Sequence, residues 1–366
     1  MAKAHLDSAK NSKQDEFYTQ WADIEREMNA YLDFNPDVFK GKTILLPCDD
    51  PEWSNFTKFF AHHFMDYGIK KLISTSYAPA AIGGKGDYYI PTFFETEHEN
   101  YKPEKSQKNG RMFSLTADDV NGDGKINFDD ITWEYLEGDG DFRSREVTAL
   151  RDQADMVITN PPFSLFREFV AWLVAGDVLF SVIGNINAIT YKEIFPLIKN
   201  NQLWKGVTAN STDMVFEVPD GFKIKESDRL KAKKMGYDGN FTRLGNACWF
   251  TNIEHGRRHE PMRLMTMSDN LNFNATPTTR DAMYRPYVNA DAIEVPTVSS
   301  IPSDYEGVMG VPITFLDRYN PEQFEIIKFR KGDDGKDLAY KREDGTVKEP
   351  YFRILVRNRN PERQEA

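Results

Sequence analysis

Short apolar runs alternate with helical patterns along the first two-thirds of the chain, and that alternation leaves few folds open. After the break at Gly41, Lys42-Thr43-Ile44-Leu45-Leu46-Pro47 reads as a buried strand, and Lys71–Ser76 as a second. Asp155-Met156-Val157-Ile158-Thr159 and residues 178–183 follow, with residues 214–218 and Ala247–Thr251 as further strands. Between them lie helical stripes: Phe17, Trp21, Ile24 and Met28 in a helix expected from Asp15; then Phe56, Phe59, Phe60 and Phe64; then residues 164–174, with Leu165, Phe169 and Leu173 on one stripe and Phe166, Val170 and Val174 beside it; then residues 191–198. Strands of this kind, spaced by helices, predict an α/β fold with a parallel sheet covered on both faces. Ligands of such sheets bind at the carboxyl ends of the strands, which gathers the turns after Pro47, Ser76 and Thr159 around one pocket.

Residues 79–150 break the rhythm with glycine and charge, and read as an irregular insertion at one edge. Beyond residue 255 proline and arginine rise. The expected division is a main domain over 1–255 and a smaller mixed region over 256–366. No apolar run reaches the roughly 18 residues needed to span a bilayer. The polar first residues lack the apolar core of a signal peptide. The expectation is a cytoplasmic protein with no membrane contact. Two cysteines, Cys48 and Cys248, exclude a four-cysteine zinc site and a disulfide scaffold. His62-His63, His255 and His259 have no ligand spacing that suggests zinc.

Between the strand ending at Thr159 and the next helix stands Asn160-Pro161-Pro162-Phe163. Average proline usage gives such a match by chance in on the order of one chain in three hundred of this length. Its chemistry suits a planar exocyclic amine such as adenine N6, whose lone pair is delocalised into the ring. Two acceptors beside the N–H bonds draw that nitrogen toward a pyramidal, nucleophilic shape. The Asn160 side-chain oxygen supplies one. The Pro161 carbonyl supplies the other, held in extended backbone by the proline after it. The Phe163 ring offers a surface on which an extruded base can stack, at about 1–3 kcal/mol per base. A sulfonium methyl donor carries its own leaving group, so the transfer needs no metal.

Other segments fit a donor site by chemistry alone. Phe17, Tyr18 and Thr19, next to Asp15-Glu16, could meet the donor's charged end, or simply begin a helix. Pro47, Cys48, Asp49 and Asp50 follow the first strand without a glycine-rich loop. Asp139, Gly140, Asp141 and Phe142 could hold the donor's adenine ring, or form a plain surface turn. The net charge of −11 argues against a nucleic-acid partner only if the charge is spread evenly. It is not: residues 223–234 hold Lys223, Lys225, Arg229, Lys231, Lys233 and Lys234, followed by Arg257, Arg258 and Arg263, and by Arg353, Arg357, Arg359 and Arg363 near the end. Lys225, Lys231, Lys233, Lys234, Arg257 and Arg258 are the candidate DNA contacts, with a solvated surface as the other reading of each run.

In this order these segments resemble the adenine-specific modification methylases of the EcoRI type, within the amino-group DNA methyltransferases. Ser8-Ala9-Lys10 through Gln20, Cys48-Asp49-Asp50-Pro51 with Ser54-Asn55-Phe56, Gly138-Asp139-Gly140-Asp141-Phe142-Arg143-Ser144 and Asn160-Pro161-Pro162-Phe163 carry the likeness, which covers roughly residues 8–255. It implies a Rossmann-like methyltransferase sheet, S-adenosylmethionine as donor, adenine N6 as target and a C-terminal target-recognition region. The implied partner is double-stranded DNA, with a cognate restriction endonuclease in the same system and a monomer or weak dimer as the working form. Methylation of an RNA base or a protein glutamine amide, and an inactive DNA-binding scaffold, are the competing readings.

One stretch falls outside that likeness. From Asp119 the sequence sets Asp119, Asn121, Asp123, Asn127 and Asp130 at the spacing of a calcium loop, with Gly124 at its turn and Lys125 offering a carbonyl. Asp130 in place of glutamate resembles the dockerin variant. The expectation is a structural calcium ion, or a surface turn of the same composition.

Overall fold

The computed structural model describes residues 17–79, 89–208, 214–218 and 222–362. Ser8-Ala9-Lys10, Asp15-Glu16 and Arg363, singled out above, lie outside the described residues. The chain divides into two compact units. The first takes the described residues up to Ile194 together with Lys205–Glu254; the second takes Phe195–Trp204 and the described residues from His255 onward.

The first unit is built on a mixed sheet. Its strands are β2 (Thr43–Leu46), β3 (Lys71–Ser76), β4 (Arg111–Leu115), β5 (Thr132–Tyr135), β6 (Met156–Thr159), β7 (Leu179–Asn185), β8 (Trp204–Lys205) and β11 (Ala247–Thr251), in the order β5-β4-β3-β2-β6-β7-β11-β8. The four central strands β3, β2, β6 and β7 are parallel, with Leu45 opposite Ile73 on one side and Val157 on the other. β11 closes antiparallel on β7, and β4 and β5 extend the other edge as an antiparallel pair. Ile44, Leu46, Met156 and Ile158 join one core cluster with helix α1 (Trp21–Phe34) and helix α2 (Asn55–His62), through Ile24, Met28, Tyr31, Phe56, Phe59 and Phe60. Leu45 and Val157 alternate with them and are equally buried, so the sheet is covered on both sides, as its near-continuous apolar strands require.

Three expectations change. Residues 17–20 are not helical: β1 (Tyr18–Thr19) pairs antiparallel with β9 (Met214–Glu217), which also pairs with β10 (Phe241–Leu244) in a separate three-stranded sheet. Helix α1 begins only after Gln20 because the preceding backbone amides and carbonyls are committed to this ladder. Residues 79–150 are not simply irregular. Arg111, Phe113 and Leu115 are buried in alternation, the period of a half-buried strand, and the calcium-like stretch forms the connection from β4 to β5. Helix α3 (Arg145–Arg151), capped by Ser144, then leads into β6. Of residues 191–198, only Phe195–Lys199 is helical. Helix α4 (Phe166–Ala175) follows the motif through a single turn at Phe163–Leu165. Helix α5 (Glu226–Lys234) lies against β10.

The second unit holds helix α6 (Met267–Phe273) and a four-stranded sheet of β12 (Ile293–Glu294), β13 (Val308–Pro312), β14 (Phe324–Phe329) and β17 (Arg353–Asn358), in the order β12-β13-β17-β14. A two-stranded ladder, β15 (Tyr340–Lys341) with β16 (Val347–Lys348), accompanies it. Met309, Val311, Phe315, Phe324, Ile354 and Val356 are buried. The buried Glu294 carboxylate accepts from Arg353 at 2.7 Å and from the Tyr287 hydroxyl. No helix among the described residues is long and apolar enough to cross a membrane.

Candidate active site

Asn160 stands directly beyond the carboxyl end of β6. Its side-chain Nδ2 donates to the Phe17 carbonyl at 2.7 Å, which orients the amide. The opposite atom, Oδ1, is buried and has no hydrogen-bond partner. A buried acceptor left unpaired costs about 1–3 kcal/mol, so its position is costly unless something outside the chain meets it. Phe17 holds the motif a second time: its ring stacks on Phe163 at 5.6 Å and 25°. Phe216 and Phe222 meet the same ring edge-on at 5.8 and 5.5 Å. Phe17 therefore braces the corner at Asn160 and Phe163. Phe163 remains half-buried, and Pro161 is buried.

Pro47, Cys48, Asp49 and Asp50 leave the neighbouring strand β2 at the same end of the sheet. Cys48 adopts a left-handed backbone with φ 71°, uncommon for a residue with a side chain. Burial pushes its thiol up, and the thiol is hydrogen-bonded to Tyr77, the residue after β3. Burial likewise raises the Tyr77 phenol. The Asp49 side chain turns inward and is buried: Oδ1 accepts from the Ser54 hydroxyl at 2.6 Å and Oδ2 lies 2.5 Å from the Thr159 hydroxyl. Asp50 accepts from Arg111 at 2.7 Å, and Arg111 also meets Glu52 at 3.2 Å and Glu95 at 3.7 Å. Both carboxylates of this loop are thus engaged by the protein itself.

The third loop closes on the same place. Asp139 O accepts from Ala78 N at 2.8 Å, and Gly138 O from Gly110 N at 2.9 Å. Gly140, at φ 85°, approaches the Ser76 carbonyl so closely that a Cβ would lie 2.2 Å from it. Only glycine satisfies both conditions. Asp141 is held below the usual carboxylate range by Arg143, against the opposing effect of burial, and the pair is bidentate at 2.9 and 2.6 Å. Phe142 requires a correction. Its ring is fully buried against Phe169 at 4.9 Å and Trp172 at 5.6 Å, so it anchors the loop to α4 instead of presenting a face to a ligand. Its large apolar area decides this.

Tyr18 and Thr19 lie in β1, where the Asn55 side chain donates to Thr19 O at 2.8 Å. The buried hydroxyls of Thr19 and of Ser76, the last residue of β3, have no hydrogen-bond partner. Ser76 and Tyr77 were missed by the sequence reading; the signal was there, since they end a central parallel strand.

Lys225, Lys231, Lys233 and Lys234 are exposed on and before α5, with Lys233 paired to Asp238 at 2.9 Å. Arg257 and Arg258 belong to the second unit. Arg258 is not a phosphate contact: it is buried, lies 3.9 Å from the centre of the Trp204 ring and donates to Asn201 at 3.0 Å. A flat guanidinium stacks on an indole at the expense of its exposure.

The 119–130 connection is ordered by hydrogen bonds between its own side chains and amides. Asp119 accepts from the amides of Gly122, Asp123 and Gly124, Asp123 from that of Lys125, and Asp130 from those of Val120, Asn121 and Asn127. Asn127 caps the turn after it through the Asp129 amide. Among the described residues no three His, Cys, Asp or Glu side chains converge as metal ligands.

The loops after β2, β6 and β5, with residues 17–19, thus lie together at one end of the sheet, beside an oriented amide with an unmet acceptor. A mixed α/β sheet with such a corner at a strand end is consistent with the class of methyltransferases. The family model for "Adenine-specific methyltransferase EcoRI" matches residues 5–359, and the chain belongs to this family; it is an adenine-specific methyltransferase. It is 41% identical to the Type II methyltransferase M.EcoRI of Escherichia coli, over 97% of this chain and 96% of that one. It is 34% identical to the Type II methyltransferase M.MpnI of Mycoplasma pneumoniae, over 97% and 98%. M.MgeORF184P of Mycoplasma genitalium, also a Type II methyltransferase, is 32% identical over 88% and 85%. No solved structure matches the chain.

Proposed function

We propose that the chain transfers the methyl group of S-adenosylmethionine to the N6 amine of an adenine flipped out of double-stranded DNA. The observation that carries this reading is the buried, unpartnered Oδ1 of Asn160, whose amide nitrogen is already committed to Phe17. The family's adenine specificity and the Type II relatives support it. Asn160 Oδ1 accepts one N6–H and the Pro161 carbonyl the other, pulling the nitrogen out of the ring plane as its lone pair turns toward the methyl carbon. Phe163 supports the base with the ring face that Phe17 leaves. Tyr18, Thr19, Pro47, Cys48, Ser76, Asp139, Gly140 and Asp141 would hold the donor, and the unmet hydroxyls of Thr19 and Ser76 fit a polar ligand there. When bound, the donor supplies an electrophilic methyl on a sulfonium.

The test is radiolabelled methyl transfer to plasmid DNA, RNA and protein, with Asn160→Ala as control. Label is expected in DNA as N6-methyladenine. The variant should lose about 10²–10³-fold in kcat while retaining donor affinity, the size expected for one preorganised polar contact. Label in RNA or protein alone, or none at all, overturns the reading.

The sheet serves as a Rossmann-like donor platform in a catalytic domain over 1–255. Residues 256–366 serve as the target-recognition region. Exposed lysines of α5 and Arg257 meet phosphates. The enzyme works in the cytoplasm as a monomer or weak dimer, beside a cognate endonuclease. A structural calcium at 119–130 rests on ligand spacing alone and takes no part in the reaction. Calorimetric titration of calcium into chelator-treated protein should give heat that Asp123→Ala lacks; no heat and no difference remove it.

A further inference from the structure

Asp49 ties together three elements around its loop. Its backbone carbonyl accepts from the Thr57 hydroxyl of α2 at 3.0 Å and from the Ser74 hydroxyl of β3. Its Oδ1 accepts from Ser54, the N-cap of α2, at 2.6 Å. Its Oδ2 reaches the Thr159 hydroxyl, one residue before Asn160, at 2.5 Å. The same Thr159 oxygen lies 2.7 Å from the Pro47 carbonyl.

The protons do not balance if Asp49 is ionised. Thr159 has one hydroxyl proton, and it would face two acceptors, the Pro47 carbonyl and the carboxylate. Both contacts are hydrogen bonds only if a second proton is present. Placed on Asp49 Oδ2, it is donated to Thr159 Oγ1, and Thr159 donates its own to Pro47 O. Ser54 continues to donate to Oδ1.

We propose that Asp49 is a positioning residue held as the neutral acid, whose proton completes a Asp49–Thr159–Pro47 chain that pins the donor loop to the strand end carrying Asn160. The surroundings agree. The groups bonded to the carboxyl, from the start of α2 and from β6, are the uncharged Ser54 and Thr159, while Thr57 of α2 and Ser74 of β3 hold the backbone carbonyl of the same residue. The nearby charge is Asp50 of its own loop, which Arg111 of β4 neutralises at 2.7 Å. Burial first, and Asp50 to a lesser degree, push the Asp49 carboxyl up to about 7, against the hydrogen bonds from Ser54 and Thr159. Asp49 was read from the sequence as a donor contact; the inward-facing carboxyl instead sets the register between the donor loop and the amide. The inference rests on the donor reading above only for where its effect is felt.

Donor affinity of the full chain, measured by calorimetry from about pH 6 to about pH 9.5, tests it on wild type, Asp49→Asn and Asp49→Ala. An asparagine keeps the neutral pattern, accepting from Ser54 and donating to Thr159. Wild-type affinity for S-adenosylmethionine should fall about tenfold as Asp49 ionises, while D49N stays flat and close to the low-pH wild type, and D49A is weak throughout. A wild-type fall that persists unchanged in D49N, or a D49N as weak as D49A, overturns the proposal. Thermal unfolding without donor is the second measurement. Wild type should lose stability relative to D49N as the pH rises toward neutrality, and parallel curves would overturn the proposal even if one variant bound no donor. Failure of the donor reading looks different: wild type itself binds no donor, while the unfolding curves still report the proton.

Discussion

At the scale of single residues, the site depends on side chains that share acceptors and donors, and each has a testable consequence. Asn160 is oriented by one backbone carbonyl, and its side-chain oxygen is left without a partner. Phe142 shows the opposite case, a residue whose motif position suggests a ligand contact and whose ring belongs to the core. Phe142→Ala is expected to cost about 3–5 kcal/mol in chemical denaturation, because the cavity between Phe169 and Trp172 cannot fully collapse. Under conditions where the variant is folded, its donor affinity should stay within a few-fold of wild type. A large affinity loss without destabilisation would return the ring to the donor site.

Elements decide which of these residues can meet. The three-stranded sheet of β1, β9 and β10 carries Tyr18 and Thr19 on one edge strand and supports α5 through the other. The helix presents Lys231 and Lys234 to solvent, with acidic Glu226 and Asp228 in its first turn and basic residues in its last, as the helix dipole favours. If α5 meets phosphates, Lys231→Glu with Lys234→Glu should weaken binding to any DNA sequence alike. It should also reduce the slope of log affinity against log salt by about 2, one unit per lost phosphate contact. A change confined to one recognition sequence, with an unchanged slope, would count against a phosphate role. The strands themselves were legible: Lys71–Ser76 and Ala247–Thr251 have the bounds that their apolar runs predict. β1, β4 and β5 were not, since strands of two to five residues beside charged loops carry too few alternations to stand out.

For the molecule as a whole, buried and paired carboxyls set the dependence of stability on pH in opposite directions. Asp337 is pulled down to about 2 by Arg330 and Lys331, so its contribution is present above the unfolded value of 3.8 and is lost as pH falls. Asp49 runs the other way. With a folded pKa of about 7 against 3.8 unfolded, the native state holds a proton that the unfolded state has released across that window. Stability from this group is therefore full below pH 3.8, declines as pH rises toward 7, and is level above it. The difference in unfolding free energy between wild type and D49N isolates this term from the acid-side pairs. It should move in favour of the variant between about pH 5 and about pH 7 and then stop changing. A difference independent of pH would mean the carboxyl is ionised in the fold.

What the chain's order of residues determined alone is the alternation of strands and helices, the corner Asn160-Pro161-Pro162-Phe163 at a strand end, and through them the chemistry of an amine methyltransferase. These are local facts, set by periodicity, proline geometry and side-chain type within a few neighbours. Only the tertiary structure decided what each carboxylate of these loops faces. Asp49, Asp50 and Asp141 look alike in sequence, yet one is buried among hydroxyls, one is bound to Arg111 and one to Arg143. Their partners lie up to 110 residues away. The free energy of a charge depends on what surrounds it in space, and that environment exists only once distant strands have paired.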